Sequence, residues 1–259
     1  MNLEVLVASM NREKNEIIKE MNIQTDAIII NQCEKWLYEE INKDKSTIRF
    51  ISCNEKGVGL SRNNALMRSH GDIILFADED EVFEEDYEKK VLSEFEKYQD
   101  ADIIFFNVQS LNEDRPIDQI TKEKRMRLLD SMRFGTVRIA AKRKRIIENN
   151  IFFSLLFGGG AKYGSGEDSL FIKNCFDKKL KAYSSTKLIA KVKQDESTWF
   201  KGYNEKYFID KGILYRKVYG KWAIPMCIQT VIRHFKHENL DKSLKTTLKA
   251  MIKGANKKI

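Results

Sequence analysis

Three acids in a row, Asp78-Glu79-Asp80, end the apolar run Ile73-Ile74-Leu75-Phe76-Ala77, and a glycine-started segment ahead of it carries Arg62 and Asn63. Side-by-side carboxylates repel one another unless a cation or a basic partner neutralises them. Oxygen ligands of this type suit a hard divalent ion, magnesium or manganese, held against a phosphorylated ligand. The competing reading is an acidic helix start, because Glu84, Glu85 and Asp86 follow and acids there offset the helix dipole. A second acidic pair, Glu167-Asp168, follows Gly164-Ser165-Gly166. One of its carboxylates suits a general base; equally, Ser165-x-x-Asp168 is the spacing of a capping box. Arg62 reads by itself as an exposed helix cation in an i,i+4 pair. Gly158-Gly159-Gly160, after an aromatic run, suggest a mobile loop or a close backbone approach to a ligand. Trp199 reads by itself as an aromatic filling a core.

The elements that would position these groups alternate. Strand-like runs at Leu3–Ala8, Asp26–Asn31, Thr47–Ser52, Asp72–Ala77 and Asp102–Val108 are separated by segments of helical composition at Asn11–Met21, Cys33–Asn42, Val58–Ser69 and Glu84–Tyr98. Such alternation implies βαβ units and a mostly parallel sheet with helices on both faces. In such sheets ligands bind beyond the C-terminal ends of the strands, where Asp78-Glu79-Asp80 falls. Asn112–Lys124 reads as a loop, Thr136–Ala141 and Leu188–Val192 as strands, and Glu167–Phe176 as a helix. From about Asn204 the chain reads as helical.

Composition narrows the class. Cys33, Cys53, Cys175 and Cys227 form no CxxC pair, so neither a zinc cluster nor a disulfide framework is expected, and a reducing compartment is the default. The chain starts on a strand-like run without a basic leader, so no signal peptide is expected. No apolar run approaches the roughly 20 residues that span a bilayer. The net charge is +8, but from Arg233 onward eight Lys/Arg face only Glu238 and Asp241. Leu240, Leu244, Leu248 and Met251 or Ile252 fall on one helical face there, with lysines elsewhere. That is a basic amphipathic helix suited either to an anionic membrane surface or to packing on the domain.

Gly59-x-x-Arg62-Asn63, Gly71-Asp72 and Phe76-Ala77-Asp78-Glu79-Asp80, followed by Gly164-Ser165-Gly166-Glu167-Asp168-Ser169-Leu170-Phe171, resemble in order and separation the signatures of family 2 glycosyltransferases of the GT-A fold. The likeness covers roughly the first 200 residues. It implies a Rossmann-like α/β domain of the type that builds surface or capsular polysaccharide. It also implies that Asp78 contacts the ribose or uracil side of a nucleotide-sugar and that Asp80 holds the Mn2+ or Mg2+ bridging the diphosphate, with Asp78 a second candidate ligand. Arg62 would lie near the nucleotide and its phosphates. Ala8, Ser9 and Met10 would line the base pocket, and Asp168 would be the general base with Glu167 beside it. Gly59 and Glu79 complete the expected donor side, and Gly159, Gly160 and Trp199 the acceptor side. The family often has Pro-Thr-Tyr-Asn after the first strand and an aspartate ending the second. This chain has Ala8-Ser9-Met10-Asn11 and Asn31-Gln32, whose amides can still bond a base edge.

The expectation is therefore a GT-A type α/β enzyme. Residues 1–110 would form a donor-binding half, 111–200 an acceptor-binding and base-carrying half of the same domain, and 201–259 a helical extension. It would move a sugar, with inversion, from a nucleoside diphosphate donor such as a UDP-sugar to a glycan or lipid-linked saccharide. It would do so in the cytoplasm or on the inner face of the membrane, without a nucleic-acid partner. A nucleotidyltransferase uses a similar sheet and metal carboxylates, but the basic Gly-rich loop after the first strand is missing. A nucleic-acid-binding protein fits less well, because the charge sits in the tail without interleaved aromatics.

Overall fold

The computed structural model describes residues 1–43, 45–193, 202–237 and 243–257. Its strands are β1 (Leu3–Met10), β2 (Asp26–Gln32), β3 (Leu37–Lys43), β4 (Ser46–Cys53), β5 (Ile73–Asp78), β6 (Glu81–Phe83), β7 (Ile103–Ser110), β8 (Lys124–Arg125), β9 (Ile139–Lys142) and β10 (Ala182–Val192). They form one sheet in the order β3-β4-β2-β1-β5-β9-β7-β10-β6, with β8 paired to β10. The helices are α1 (Lys14–Glu20), α2 (Val58–Arg68), α3 (Tyr87–Lys97), α4 (Leu128–Ser131), α5 (Arg143–Glu148), α6 (Glu167–Asp177), α7 (Glu205–Tyr219), α8 (Ala223–His237) and α9 (Leu244–Ala255).

β1 is the axis of the sheet. It pairs in parallel with β2 on one side and β5 on the other, and seven of its eight residues are buried. Its alternate residues feed two cores. Leu3, Val5 and Val7 pack with Ile17 of α1 and Val91 and Phe95 of α3. Leu6 packs with Ala65 and Leu66 of α2 and Phe171 of α6 on the other face. Burial on both faces is why these strands are nearly continuous aliphatic runs.

The sheet has the expected parallel core, to which antiparallel strands are added. The long strands β1, β2, β4 and β5 run parallel, as do β7 and β10, but β3, β6, β8 and β9 are antiparallel insertions. The segment expected as a helix at Cys33–Asn42 instead contains β3, which pairs antiparallel with β4 from Leu37↔Ser52 to Lys43↔Ser46. Its Glu- and Lys-rich composition suits a helix, but the open hydrogen-bonding edge of β4 outweighs that weak local preference. The α2 helix stops at Arg68, short of Gly71.

β9 sits between β5 and β7 but spans only their first halves, pairing with Ile73–Leu75 and Ile103–Phe105. Beyond those residues the sheet forks. The short helical turn Thr136–Arg138 fills the fork, with Arg138 donating from Nε to the Phe106 carbonyl (2.8 Å) and from Nη2 to Asn107 Oδ1 (2.8 Å). The expected strand at 136–141 is thus half turn and half β9.

The C-terminal segment is helical, as its composition implies. α7 and α9 cross with their backbones in contact: a Cβ on Gly212 would lie 2.0 Å from the Met251 carbonyl oxygen, and one on Gly254 would lie 2.0 Å from that of Ile209. The inward face of α9 is Thr247, Ala250, Met251, Gly254 and Ala255. Leu248 packs at its margin, Leu244 is exposed, and Leu240 lies outside the described residues. The amphipathic character of α9 is therefore spent largely on α7. Neither glycine can accept a methyl group without parting the helices, so Gly212→Ala or Gly254→Ala should cost about 1–3 kcal/mol. Thermal denaturation would show this as a lowered Tm for each variant.

Candidate active site

Arg62, on α2, occupies the centre of the site. It is 3% exposed, and its guanidinium is shared among three acids from two elements. Nη2 donates to Asp78 Oδ1 (2.9 Å) and Oδ2 (3.0 Å) at the end of β5. Nη1 donates to Asp168 Oδ1 (2.9 Å) and Glu167 Oε1 (3.3 Å) at the start of α6. The carbon of the guanidinium lies 5.4 Å from the centre of the Phe153 ring, which stacks on Phe171 at 4.2 Å. Asn63 grips the backbone of Phe153, in the segment 151–157: its Nδ2 donates to the Phe153 carbonyl (2.9 Å), and its Oδ1 accepts from the Phe153 amide (2.8 Å). Burial alone would pull the Arg62 guanidinium toward neutrality, but Asp78, then Asp168 and Glu167, hold it above its ordinary value.

This geometry changes the roles expected of several residues. Arg62 is committed to carboxylates rather than open to phosphates. The charge of Asp78 is balanced by a guanidinium, so that carboxylate does not require a metal, though it stays partly exposed. Glu79 Oε2 accepts from the Met10 amide (3.1 Å), tying the end of β1 to the end of β5; burial raises its carboxyl above the usual range against that bond. Glu81 lies beneath, its Oε2 accepting from the Asp78 amide (3.2 Å), and burial together with Asp78 pushes it well up.

Among the described residues no three His, Cys, Asp or Glu side chains are arranged to hold a metal ion. Magnesium and manganese sites commonly use one or two carboxylates plus substrate phosphates. The three acids after β5 do not form a cage by themselves: Asp78 is tied to Arg62 and Glu79 to β1, while Asp80 is partly exposed.

The expected base pocket is largely occupied with its own structure. Ala8 and Ser9 are buried in β1. The Asn31 Oδ1 accepts from the Arg12 amide (2.9 Å) and its Nδ2 donates to the Arg12 carbonyl (3.1 Å), so this amide fixes the loop after β1. The Gln32 Oε1 accepts from the Gly57 amide (2.7 Å) and fixes the approach to α2. Both ends of Asn31 are engaged, which argues against the base-edge contact expected of it. Gly59 is buried, and a Cβ there would sit 2.7 Å from the Ser154 carbonyl oxygen, so close packing of the 151–157 strap explains it.

The glycine run is tethered rather than loose. Val58 donates its amide to the Gly159 carbonyl (3.0 Å), and Gly158, at φ +110°, leaves the space into which the Glu167 carboxyl fits. Gly160 is exposed, and Trp199 lies outside the described residues. The capping box does not form: the N-cap of α6 is Gly166, without a side-chain cap. Glu167 Oε2 instead accepts from the Gly166 amide (3.1 Å), so Glu167 secures the helix start and Asp168 projects beside it. Burial, with Asp168 next to it, pushes the Glu167 carboxyl up to about 7 despite Arg62. Sequence reasoning missed Thr136, fully buried in the fork, whose hydroxyl donates to Asp168 Oδ1. Nothing in its neighbours marks a threonine 32 residues ahead of Asp168 as its partner.

A buried arginine joining a strand-end acid to a helix-start acid pair, on this mixed sheet, is what the two sequence signatures build together. The glycosyl transferase family 2 profile matches residues 8–156, more than half of the chain. The chain belongs to this family. For a family 2 glycosyltransferase, the matched stretch contains Arg62 and the acids after β5 but ends ahead of Glu167-Asp168. No curated protein matches the sequence. Among solved structures, S. aureus TarS 1-349 in complex with UDP-GlcNAc is similar at 16% identity and a TM-score of 0.66, over 93% of this chain and 74% of that one. The same fragment in complex with UDP gives 15% identity and 0.67, over 99% and 81%. The longer TarS structure gives 14% and 0.64, but this chain spans only 46% of it. At such identities the likeness bears on the fold, and that fold is GT-A-like.

Removing Arg62 would leave Asp78, Glu167 and Asp168 facing one another without a cation. Arg62→Ala should therefore lower stability by about 3 kcal/mol or more, rather than weaken nucleotide binding alone; denaturant unfolding measures it. The raised Glu167 carboxyl gives a second expectation. The folded protein holds that proton more tightly than the unfolded chain, so the associated stability is present at acid pH and is lost as pH rises through about 7. Glu167→Gln cannot ionise, so its Tm relative to the native chain should be higher at about pH 8 than at about pH 5.

Proposed function

We propose that the protein transfers a sugar, with inversion, from a nucleoside diphosphate donor, UDP-linked by preference, to a glycan or lipid-linked saccharide hydroxyl. The observation that carries this reading is the span of one guanidinium. Arg62 brings Asp78, at the ligand end of the sheet, within reach of Asp168 on a separate segment. Inverting displacement needs a base and a leaving group on opposite sides of the sugar, and in this reading the two are served by separate segments, the start of α6 and the end of β5.

Asp168 is the base in this reading. Arg62 and the Thr136 hydroxyl both engage its Oδ1, which fixes the carboxylate and leaves Oδ2 to take the acceptor proton. Glu167 is a positioning residue, because its oxygens are divided between Arg62 and the Gly166 amide. Asp78 accepts from the ribose with its remaining lone pairs. A divalent ion bound by Asp80 would supply charge stabilisation to the departing diphosphate. Two features support a UDP-type donor: the family, and the fold shared with a TarS fragment solved with UDP-GlcNAc. Family membership also favours sugar transfer over the nucleotidyl transfer that the same carboxylates would serve.

Two substitutions test the assignment. Asp168→Asn should keep UDP binding by calorimetry and lose about 10²–10⁴-fold in transfer rate; normal turnover would move the base elsewhere. Asp80→Asn should abolish the manganese-dependent part of UDP binding, and unchanged metal dependence would remove Asp80 from that role.

A further inference from the structure

Helix α8 carries two stripes one residue apart. Ala223, Cys227 and Val231 recur every four residues and are buried in the core shared with α7 and α9. One position on, Ile224, Ile228 and Ile232 recur with the same spacing and are 36%, 41% and 52% exposed, and Trp222, just ahead of the helix, is 64% exposed. Residues four apart lie above one another on a helix, so the isoleucines form a continuous apolar strip. A single exposed isoleucine needs no explanation, but a row with a polar rim marks an interaction surface.

The rim identifies the occupant. Lys221, just ahead of the helix, and Arg233, on it, are exposed, as are Arg216 and Lys217 in the last turn of α7, which packs against α8. From Lys201 onward the sequence carries 14 Lys/Arg against 4 Asp/Glu, a net +10 in a chain whose total is +8. A second copy docking across a two-fold axis would set this basic rim against itself, which Coulomb repulsion disfavours. An anionic bilayer satisfies both features at once: isoleucine and tryptophan enter the boundary between headgroups and acyl chains, and the cations meet lipid phosphates. Among the described residues no helix is long and apolar enough to cross a membrane, and α8 is held to the protein by its other stripe, so it would lie along the surface.

The geometry points to α8 as a face that binds anionic membranes through Trp222, Ile224, Ile228 and Ile232. The contact thus belongs to α8 and not to α9, whose amphipathic face the sequence suggested. It does not depend on the transfer chemistry.

The full chain is to be sedimented with vesicles of phosphatidylglycerol and phosphatidylcholine, and with phosphatidylcholine alone. Binding to the anionic vesicles is expected, weakening as salt rises. A blue shift of tryptophan emission should accompany it and be lost in Trp222→Phe. The double variant Ile228→Glu/Ile232→Glu should bind about tenfold or more weakly with an unchanged circular dichroism spectrum. Three results would overturn the proposal: no binding by the native chain, full binding by the double variant, or a native dimer in light scattering that the double variant splits. Should the double variant not fold, quenching by brominated lipids decides, because it must be stronger in the native chain than in Trp222→Phe. Transfer to a soluble acceptor is read in parallel, and its loss with vesicle binding intact counts against the catalytic reading while upholding this one.

Discussion

One buried cation holds the site together. Arg62 is desolvated on α2 and stabilised only because three carboxylates converge on it from the end of β5 and the start of α6. The acids in turn tolerate one another because the guanidinium stands between them. Neither side is stable without the other, so the positions of two segments about a hundred residues apart are set by one fork of hydrogen-bond donors. The Phe153 ring beside the guanidinium and the Asn63 clamp on the Phe153 backbone make the same helix that carries the cation also hold the strap leading to α6. The arrangement is cross-tied from three directions, which would suit the fixed geometry that the proposed transfer needs.

The framework was legible in the sequence wherever burial on both faces leaves an aliphatic run, as in β1, β2, β4, β5 and β7. The acids after β5 and the pair at α6 were legible as well, because strand end and helix start are recognisable places. What was hidden had physical reasons. β3 is written in residues of helical preference and exists because β4 has an open edge. β9 is four residues long and is defined by its neighbours rather than by its own pattern. The partner of Arg62 could not be read from its spacing, because an i,i+4 pair and a buried three-way bridge look alike in one dimension. Asn31 and Gln32 suggested ligand contacts by position, but their amides serve loops that only the folded chain brings near. Thr136 had no signal, being placed by the fork.

Glycines account for much of what joins the helical segment to the sheet. Gly166, at φ +115°, is packed against Leu214 of α7, and Phe157 and Tyr163 share a core with Ile213, Leu214 and Val218. The loop that houses the Glu167 carboxyl is thereby sandwiched between α2 and α7. The C-terminal helices are thus more than an appendage, because they back the loop from which the proposed base emerges.

The late, antiparallel insertion of β9 also matters for synthesis. A ribosome releases β5 about sixty residues before Ile139–Lys142, and until those residues emerge Ile73-Ile74-Leu75 present unpaired amides and carbonyls on an apolar edge. That is a sticky template of the sort that seeds aggregation in nascent chains. A fragment cut near residue 110 would retain this exposed edge, and chaperone protection would matter most in that interval of translation.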